Sequence, residues 1–294
     1  MTRQTVTRFA PSPTGALHLG HAYAALAAWR AAKAAQGRFL LRIEDIDATR
    51  CRPEFEARQM ADLAWLGLDW EQPVRRQSEH LADYAAALDK LDRADLLYPC
   101  FCTRAEIRAE IARAGAAPHM ASEGVEPAYP GICRALSIGE RKRRIAEGAP
   151  YALRLDMATA QRRAGPLAWH DRIRGRIEAT PQRFGDVVLA RKEMPTSYHL
   201  AATLDDHLQG ITLVTRGTDL FEATHIHRLL QALLGLDTPD YAHHRLITDP
   251  DGRRLAKRDK ALTLASLRER GVDPHDIIAA LDAGSVARFF ENTG

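Results

Sequence analysis

The stretch RFAPSPTGALHLGH, residues 8–21, constrains the fold of this chain more than any other segment. Pro11 and Pro13 fix two backbone φ angles and remove two hydrogen-bond donors, which predicts a rigid turn. The alanine-rich residues 20–36 that follow are predicted to form a helix ending before Gly37. A rigid turn that leads into a helix N-terminus presents backbone amide groups to an anion.

Two histidines, His18 and His21, lie three positions apart and therefore share one face of the first turn of that helix. Exposed amides beside paired imidazoles predict a phosphate-binding turn. The alternative from these residues alone is a proline turn that carries two surface histidines.

The first hundred residues alternate between strand-like and helix-like patterns. Residues 38–45 predict a buried strand, and Pro53 suits the first position of a helix. Ser78 is predicted to cap a further helix that runs to about Leu91. This order is typical of an α/β fold with a parallel sheet and crossover helices.

Beyond Pro99 the pattern changes, and cysteines, basic runs, prolines and glycines predict an inserted subdomain that extends to about Arg183. Regular patterns then return. Strands are predicted at 186–192, 197–206 and 211–217, and a helix at 221–236. The last stretch, from about His243, is predicted to be mixed and then helical.

Three of the four cysteines, Cys100, Cys102 and Cys133, fall within 34 positions of one another. In a reducing compartment this spacing favours a metal site over disulfides, although buried cysteines without a metal are the alternative. A structural zinc site needs four ligands. From the residues alone the fourth ligand could be His119, Glu123 or Tyr129.

The composition is ordinary for a globular protein of 294 residues, with 46% hydrophobic and 27% charged residues. That length suits two domains, or one domain with a large insertion. The net charge of +3 permits an anionic partner without requiring one. No apolar run reaches the roughly 20 residues of a membrane span, and no signal peptide is evident. We therefore expect a cytoplasmic protein.

Residues 11–21 resemble the first signature of class I aminoacyl-tRNA synthetases, and the preface RFAPSPTG resembles their glutamyl-tRNA synthetase branch. The stretch RRLAKR, residues 253–258, resembles the second signature, the lysine loop. Arg254 and Ala256 replace the lysine and serine that are common there, whereas Lys257 is kept. Residues 42–50 and 197–220 also resemble the glutamyl branch. The resemblance covers roughly residues 5–260.

The resemblance implies a Rossmann-like parallel sheet with an inserted zinc-bearing subdomain and a short, mostly helical C-terminal segment. Residues 1–98 and 186–242 would be the two halves of the catalytic domain. Residues 99–185 would be the insertion, which faces the tRNA acceptor end in the relatives. Residues 243–294 would carry the lysine loop and the C-terminal helices, without an anticodon-binding domain.

The resemblance also implies roles for individual residues. His18, His21 and Lys257 would be catalytic, and ATP, with Mg²⁺, would be bound by His18, Gly20, His21 and Lys257. The glutamate pocket would be formed by Arg8, Phe9, Ala10, Pro11, Ser12, Glu44, Tyr198 and Arg216. Within it, Glu44 would bind the α-amino group, and Arg8 or Arg216 the side-chain carboxylate. One structural zinc ion would be bound by Cys100, Cys102, Tyr129 and Cys133.

Only 36 residues follow Arg258, whereas full glutamyl-tRNA synthetases carry a large anticodon-binding region there. A paralogous branch of the family shares this short length. Its resemblance implies that glutamate and ATP form glutamyl-adenylate without tRNA, and that glutamate then passes to the queuosine base at the wobble position of tRNA(Asp). The alternatives are a truncated synthetase that charges a tRNA 3′ end, and a non-catalytic regulator that binds tRNA or ATP. We expect a monomer.

Overall fold

The computed structural model describes residues 3–103, 105–107, 129–191, 194–248 and 262–290. Its amino-terminal part alternates strands and helices. The elements are β1 (Val6–Phe9), α1 (Leu19–Ala34), β2 (Arg38–Ile43), α2 (Pro53–Trp65), β3 (Glu71–Arg76) and α3 (Leu81–Asp92). Strands β1, β2 and β3 form one parallel sheet in that order. The predicted parallel sheet with crossover helices is confirmed.

The end of α1 follows from one close backbone approach. A Cβ atom at Gly37 would lie 2.0 Å from the carbonyl oxygen of Thr5, so only glycine fits there. The N–H of Gly37 donates to the carbonyl of Ala32 at 2.8 Å and satisfies one of the last carbonyls of the helix. Pro53 is the first residue of α2, as predicted, because that position needs no N–H donor.

The predicted helix cap at Ser78 is wrong. A 3₁₀ turn spans Gln77–His80, and α3 begins after it without a side-chain cap. The backbone N–H and the Oγ of Ser78 instead donate to the carboxylate of Asp45, at 2.8 Å and 2.6 Å. This pairing joins the end of β2 to the start of the turn.

The middle of the chain contributes to two sheets. Its elements are β4 (Leu97–Cys100), α4 (Ile138–Ala146), β5 (Ala152–Leu155), α5 (Met157–Ala164), β6 (Ala168–Asp171), β7 (Gly175–Glu178) and β8 (Val188–Arg191). Strands β4, β5 and β8 form an antiparallel sheet. The hairpin of β6 and β7 belongs to a different sheet, which it forms with strands from the last part of the chain.

The remaining elements are α6 (Tyr198–Leu208), β9 (Leu213–Gly217), α7 (Ala223–Leu234), β10 (Asp240–His244), α8 (Leu264–Glu269) and α9 (Pro274–Ala283). The predicted strand at 197–206 is wrong, because α6 occupies it. Ser197 caps this helix by accepting the N–H of Leu200. Residues 200–206 are all buried, so the helix lacks the polar face by which a helical period is recognised.

Strands β10 and β9 are parallel, and β6 adds beside β10, so the sheet order is β7-β6-β10-β9. This sheet meets the amino-terminal one where the N–H of Thr212 donates to the carbonyl of Val6 at 3.0 Å. Helices α8 and α9 bury Leu264, Leu267 and Ile277 in the core that also contains Leu19 of α1. Among the residues that the structure describes, no helix combines the length and apolar character needed to cross a bilayer.

Candidate active site

A cavity of about 320 Å³ opens where β1, β2, β9 and β10 reach their carboxyl ends. Residues from all four strand ends line it, because parallel strands deliver their last residues to one edge of a sheet. The lining residues include every residue predicted for the glutamate pocket: Arg8, Phe9, Ala10, Pro11, Ser12, Glu44, Tyr198 and Arg216. His18, Gly20 and His21 line the same cavity. The predicted glutamate and ATP residues within the described ranges are therefore brought together.

His18 and His21 close the first turn of α1 by reciprocal capping. Nδ1 of His18 accepts the N–H of Gly20 at 3.1 Å, and the N–H of His18 donates to Nδ1 of His21 at 3.1 Å. The two rings lie 3.8 Å apart between centroids. Because each Nδ1 accepts a hydrogen bond, the neutral form of each ring carries its proton on Nε2. An Nε2–H is a donor suited to a phosphate oxygen.

The proline turn is fixed by backbone contacts to its neighbours. The N–H of Glu44 donates to the carbonyl of Pro11 at 3.0 Å. The side-chain amide of Gln59, buried on α2, donates to the carbonyls of Ser12 and Gly15 at 3.2 Å and 2.8 Å. Contacts within the protein therefore fix the turn, as a preorganised anion site requires.

Arg8 is held by a buried carboxylate. Its Nε lies 2.9 Å from Oδ1 of Asp206, and its Nη2 lies 3.4 Å from Oδ2. The fully buried Arg42 donates to the same Oδ1 at 2.9 Å and to Oε1 of Glu44 at 3.3 Å. Asp206 of α6 therefore joins the ends of β1 and β2 from beneath the cavity.

Glu44 is the buried carboxylate that faces the cavity, with 9% of its surface exposed. Burial raises the pKa of its carboxyl group, while the charges of Arg42 and Arg8 act in the opposite direction. A cationic group placed beside Glu44 would favour the ionised form. The position therefore suits an ammonium group.

Arg216, at the end of β9, is surrounded by neutral partners. Its Nη2 donates to Oγ1 of Thr224 at 2.6 Å, and its Nη1 lies 3.4 Å from the hydroxyl of Tyr198. Nδ1 of His227 is also 3.4 Å from Nη1. Burial and the charge of Arg216 lower the pKa of His227 well below its ordinary value, so this ring is neutral. Within the described ranges, no carboxylate lies within 4.0 Å of the Arg216 guanidinium.

The three predicted cysteine ligands converge in the middle of the chain. The sulfurs of Cys100, Cys102 and Cys133 all lie within 4.8 Å of one another. A tetrahedral zinc ion with Zn–S bonds of about 2.3 Å separates two sulfurs by about 3.8 Å, so the cluster fits such an ion. The hydroxyl of Tyr129 lies 3.5 Å from the sulfur of Cys102. Burial raises the pKa of the Cys102 thiol, so a thiolate there needs a nearby cation.

Several cavity residues were not predicted from the sequence. They are Tyr23, Ala24, Thr215, Gly217, Asp219, Leu220, His244, Arg245, Leu246 and Ile247. The supporting pair Arg42 and Asp206 was also missed, although two adjacent aspartates in an apolar segment are an unusual pattern. The predicted residues Lys257, Arg254 and Ala256 lie outside the described residues, as do His119 and Glu123.

Comparison with known proteins decides the family. Residues 4–286 match the family model described as tRNA synthetases class I (E and Q), catalytic domain. A glutamyl-Q tRNA(Asp) synthetase of Rhodobacter capsulatus is 49% identical over 277 residues, which cover 92% of this chain and 98% of that protein. The chain belongs to the class I glutamyl and glutaminyl synthetase family, in its glutamyl-Q branch. The family expected from the sequence is thereby confirmed.

A second glutamyl-Q tRNA(Asp) synthetase, from Nocardia farcinica, is 45% identical over 93% of this chain and 82% of its own length. Among solved structures, a glutamate tRNA ligase from Elizabethkingia meningosepticum in complex with its amino acid matches with a TM-score of 0.73 at 32% identity. The match covers 87% of this chain and 52% of that ligase. The class I synthetase fold predicted from the sequence is thus confirmed.

Proposed function

We propose that this chain activates L-glutamate with ATP and Mg²⁺ to glutamyl-adenylate, without tRNA, and transfers the glutamyl group to queuosine at the wobble position of tRNA(Asp). The observation that carries the proposal is that Glu44, Arg216, His18 and His21 line one shared cavity. The transfer step is supported by the printed names of the 49% and 45% identical relatives.

The cavity offers an oppositely charged partner to the side-chain carboxylate and to the α-ammonium group of glutamate. Arg216 binds the side-chain carboxylate, because its guanidinium has no protein carboxylate within 4.0 Å among the described residues. Glu44 binds the α-ammonium group. Arg8 is held by Asp206 and forms a fixed wall of the cavity. Glutamine lacks the carboxylate and would leave the charge of Arg216 unpaired in a buried place.

The phosphate end of ATP lies against the N-terminus of α1. There the backbone amides and the Nε2–H groups of His18 and His21 stabilise the charge that develops as the α-carboxylate of glutamate attacks the α-phosphorus. The bond between the α-phosphorus and the bridging oxygen breaks, and pyrophosphate leaves. We assign Lys257 to the same phosphates from its match to the lysine loop. In the second step a hydroxyl oxygen of queuosine attacks the glutamyl carbonyl carbon, the bond between that carbon and the phosphate oxygen breaks, and AMP and the hydroxyl proton leave.

The cysteine cluster holds a structural zinc ion in this proposal, with Cys100, Cys102 and Cys133 as ligands and Tyr129 as the fourth. The guanidinium of Arg154 lies 3.9 Å above the ring of Tyr129. Burial and hydrogen bonds to Cys100 and Cys102 raise the pKa of the Tyr129 phenol, so a phenolate ligand there would need the charge of the zinc ion. None of these residues lines the cavity, so the ion would stabilise the middle of the chain rather than take part in the reaction. A cytoplasmic location and a monomeric state remain predictions from the sequence.

Glutamate-dependent exchange of labelled pyrophosphate into ATP, measured without tRNA, tests the activation step. We expect exchange with glutamate and not with glutamine. Replacing Arg216 with Ala should lower kcat/KM for glutamate by about a hundredfold, because a charged hydrogen-bonding partner is lost. The matched control is Arg30→Ala, which removes a surface arginine paired with Asp282 on α9. Equal exchange by the Arg216 variant and the control would contradict the assignment.

A further inference from the structure

A buried chain of hydrogen bonds runs from the β6 hairpin to the cavity. Nε of Arg216 donates to Nε2 of His243 at 3.1 Å. Nδ1 of His243 lies 2.6 Å from Oδ2 of Asp171, and neither of these two side chains has any exposed surface. The chain links β6, β10 and β9, three neighbouring strands, and ends at the residue proposed to bind the carboxylate of glutamate.

Asp171 is an anion that receives donors on both oxygens. Its Oδ1 accepts the N–H groups of Ile173 and Arg174, at 2.8 Å and 3.0 Å, and Oδ2 also accepts the N–H of His243 at 3.3 Å. Burial raises the pKa of Asp171, but the hydrogen bonds from His243 and from the backbone outweigh burial and hold it below the ordinary value.

The anion fixes the tautomer of His243. Burial lowers the pKa of this histidine to about 4, so the ring is neutral near pH 7. A neutral ring beside a carboxylate carries its proton on Nδ1 and donates it to Asp171. Nε2 is then a lone pair, and it accepts the N–H of Arg216. The ring is held in place by the stacked ring of Tyr241, at 5.9 Å between centroids and an interplanar angle of 7°.

We propose that Asp171 and His243 are positioning residues: they hold the guanidinium of Arg216 toward the glutamate carboxylate by presenting a lone pair to its Nε. The inference rests on the proposed function of Arg216. The contact to Thr224 restrains Nη2, and two longer contacts of 3.4 Å reach Nη1. The contact to His243 restrains the inner nitrogen and completes the restraint on the plane of the whole group. A fixed plane is what two-point binding of a carboxylate requires.

The isosteric variant Asp171→Asn tests this device. Its amide oxygen can still accept the N–H groups of Ile173 and Arg174, which places the amide NH₂ opposite Nδ1 of His243. The ring must then carry its proton on Nε2, so that the Nε2–H of His243 and the Nε–H of Arg216, both donors, face each other without an acceptor. The control is His225→Gln. His225 is equally buried and packs 6.0 Å from Trp169, but its Nδ1 accepts the N–H of Thr180 and makes no contact with Arg216.

The first readout is the tautomer of His243, observed by ¹⁵N NMR of histidine-labelled protein. We expect the proton on Nδ1 in the wild type and on Nε2 in Asp171→Asn. This measurement does not depend on enzymatic activity. The wild-type spectrum alone shows which nitrogen of His243 carries the proton, so the test holds even if Asp171→Asn folds poorly. A wild-type His243 that carries its proton on Nε2, or on both nitrogens at pH 7, would overturn the inference.

The second readout is the kinetics of pyrophosphate exchange. In Asp171→Asn we expect KM for glutamate to rise about tenfold or more, as one hydrogen bond to a charged group is lost, with KM for ATP within about twofold. His225→Gln should change neither constant. An unchanged KM for glutamate, or equal increases in both constants, would refute the positioning role. Absence of glutamate-dependent exchange in the wild type would instead refute the proposed function, and the tautomer would still test the hydrogen-bond chain.

Discussion

The carboxylate of Asp206 holds the guanidinium of Arg8 with two hydrogen bonds, at 2.9 Å and 3.4 Å. The two residues are 198 positions apart in the chain, and both side chains are nearly buried. This ion pair joins the first strand to a helix in the second half of the fold. Arg8 thus has a protein carboxylate as its partner, whereas Arg216 has none within 4.0 Å among the described residues, so Arg216 is better suited than Arg8 to a substrate carboxylate.

Asp206→Asn should lower the free energy of unfolding by about 3 kcal/mol, because it leaves the buried guanidinium groups of Arg8 and Arg42 without their shared anion. Denaturant unfolding near pH 7 measures this. The control is Asp237→Asn, which removes a half-exposed carboxylate paired with Arg3 and should change stability by less than about 1 kcal/mol. Equal effects of the two substitutions would contradict the role given to Asp206.

Gly20→Ala should lower the rate of pyrophosphate exchange about tenfold or more while α1 stays folded. A Cβ atom at Gly20 would lie 3.0 Å from Cε1 and 3.1 Å from Nδ1 of His18, so the imidazole must move away from its capping position. Gly139→Ala in α4 is the matched control, since its Cβ would have no atom closer than 3.9 Å. If both variants keep full activity, the orientation of His18 does not matter for activation.

Purified protein should contain one zinc ion per chain by elemental analysis, and Cys133→Ser should lose it. Cys51→Ser should retain the ion, because Cys51 is not part of the cluster. Tyr129→Phe should weaken zinc binding in competition with a chelator, since it removes the hydroxyl that lies 3.5 Å from the sulfur of Cys102. Unchanged affinity in Tyr129→Phe would assign the fourth position to another ligand.

Asp62→Asn should stabilise the protein at pH 7.5 by roughly 2 kcal/mol, and the difference should vanish near pH 4. Asp62 is fully buried on α2, and burial raises its pKa to about 6, with the charge of Arg268 acting against it. Because this value lies above the unfolded one, the folded chain binds more protons between pH 4 and 6. The contribution of Asp62 to the free energy of unfolding of the wild type therefore falls as the pH rises from 4 through 6.

Denaturant unfolding at several pH values measures the Asp62 effect. Asp69→Asn provides a control of opposite sign, because hydrogen bonds from Trp29 and Lys33 lower the pKa of Asp69. That substitution should destabilise the protein slightly at pH 7.5. A lower stability of Asp62→Asn at pH 7.5 would show that the ion pair with Arg268 outweighs the cost of burial.

Local chemistry predicted much of the fold and of the site. Gly37 predicted the end of α1, and Pro53 predicted the start of α2. The proline turn predicted that His18 and His21 lie at the N-terminus of α1. The strand expected at 197–206 failed because a helix buried on all sides loses its polar period. Arg42 and Asp206 were missed because their pairing spans 164 positions, and only the folded sheet brings them together.

Transfer of labelled glutamate to bulk tRNA tests the central claim most directly. The tRNA would come from cells that make queuosine and from cells that cannot. We predict that only the first pool is labelled, and that Arg216→Ala abolishes the labelling. Equal labelling of both pools would contradict the claim and indicate charging of a tRNA 3′ end. Labelling of neither pool, with no pyrophosphate exchange, would contradict both transfer to queuosine and charging of a 3′ end. It would favour a protein that binds ATP or tRNA without catalysis.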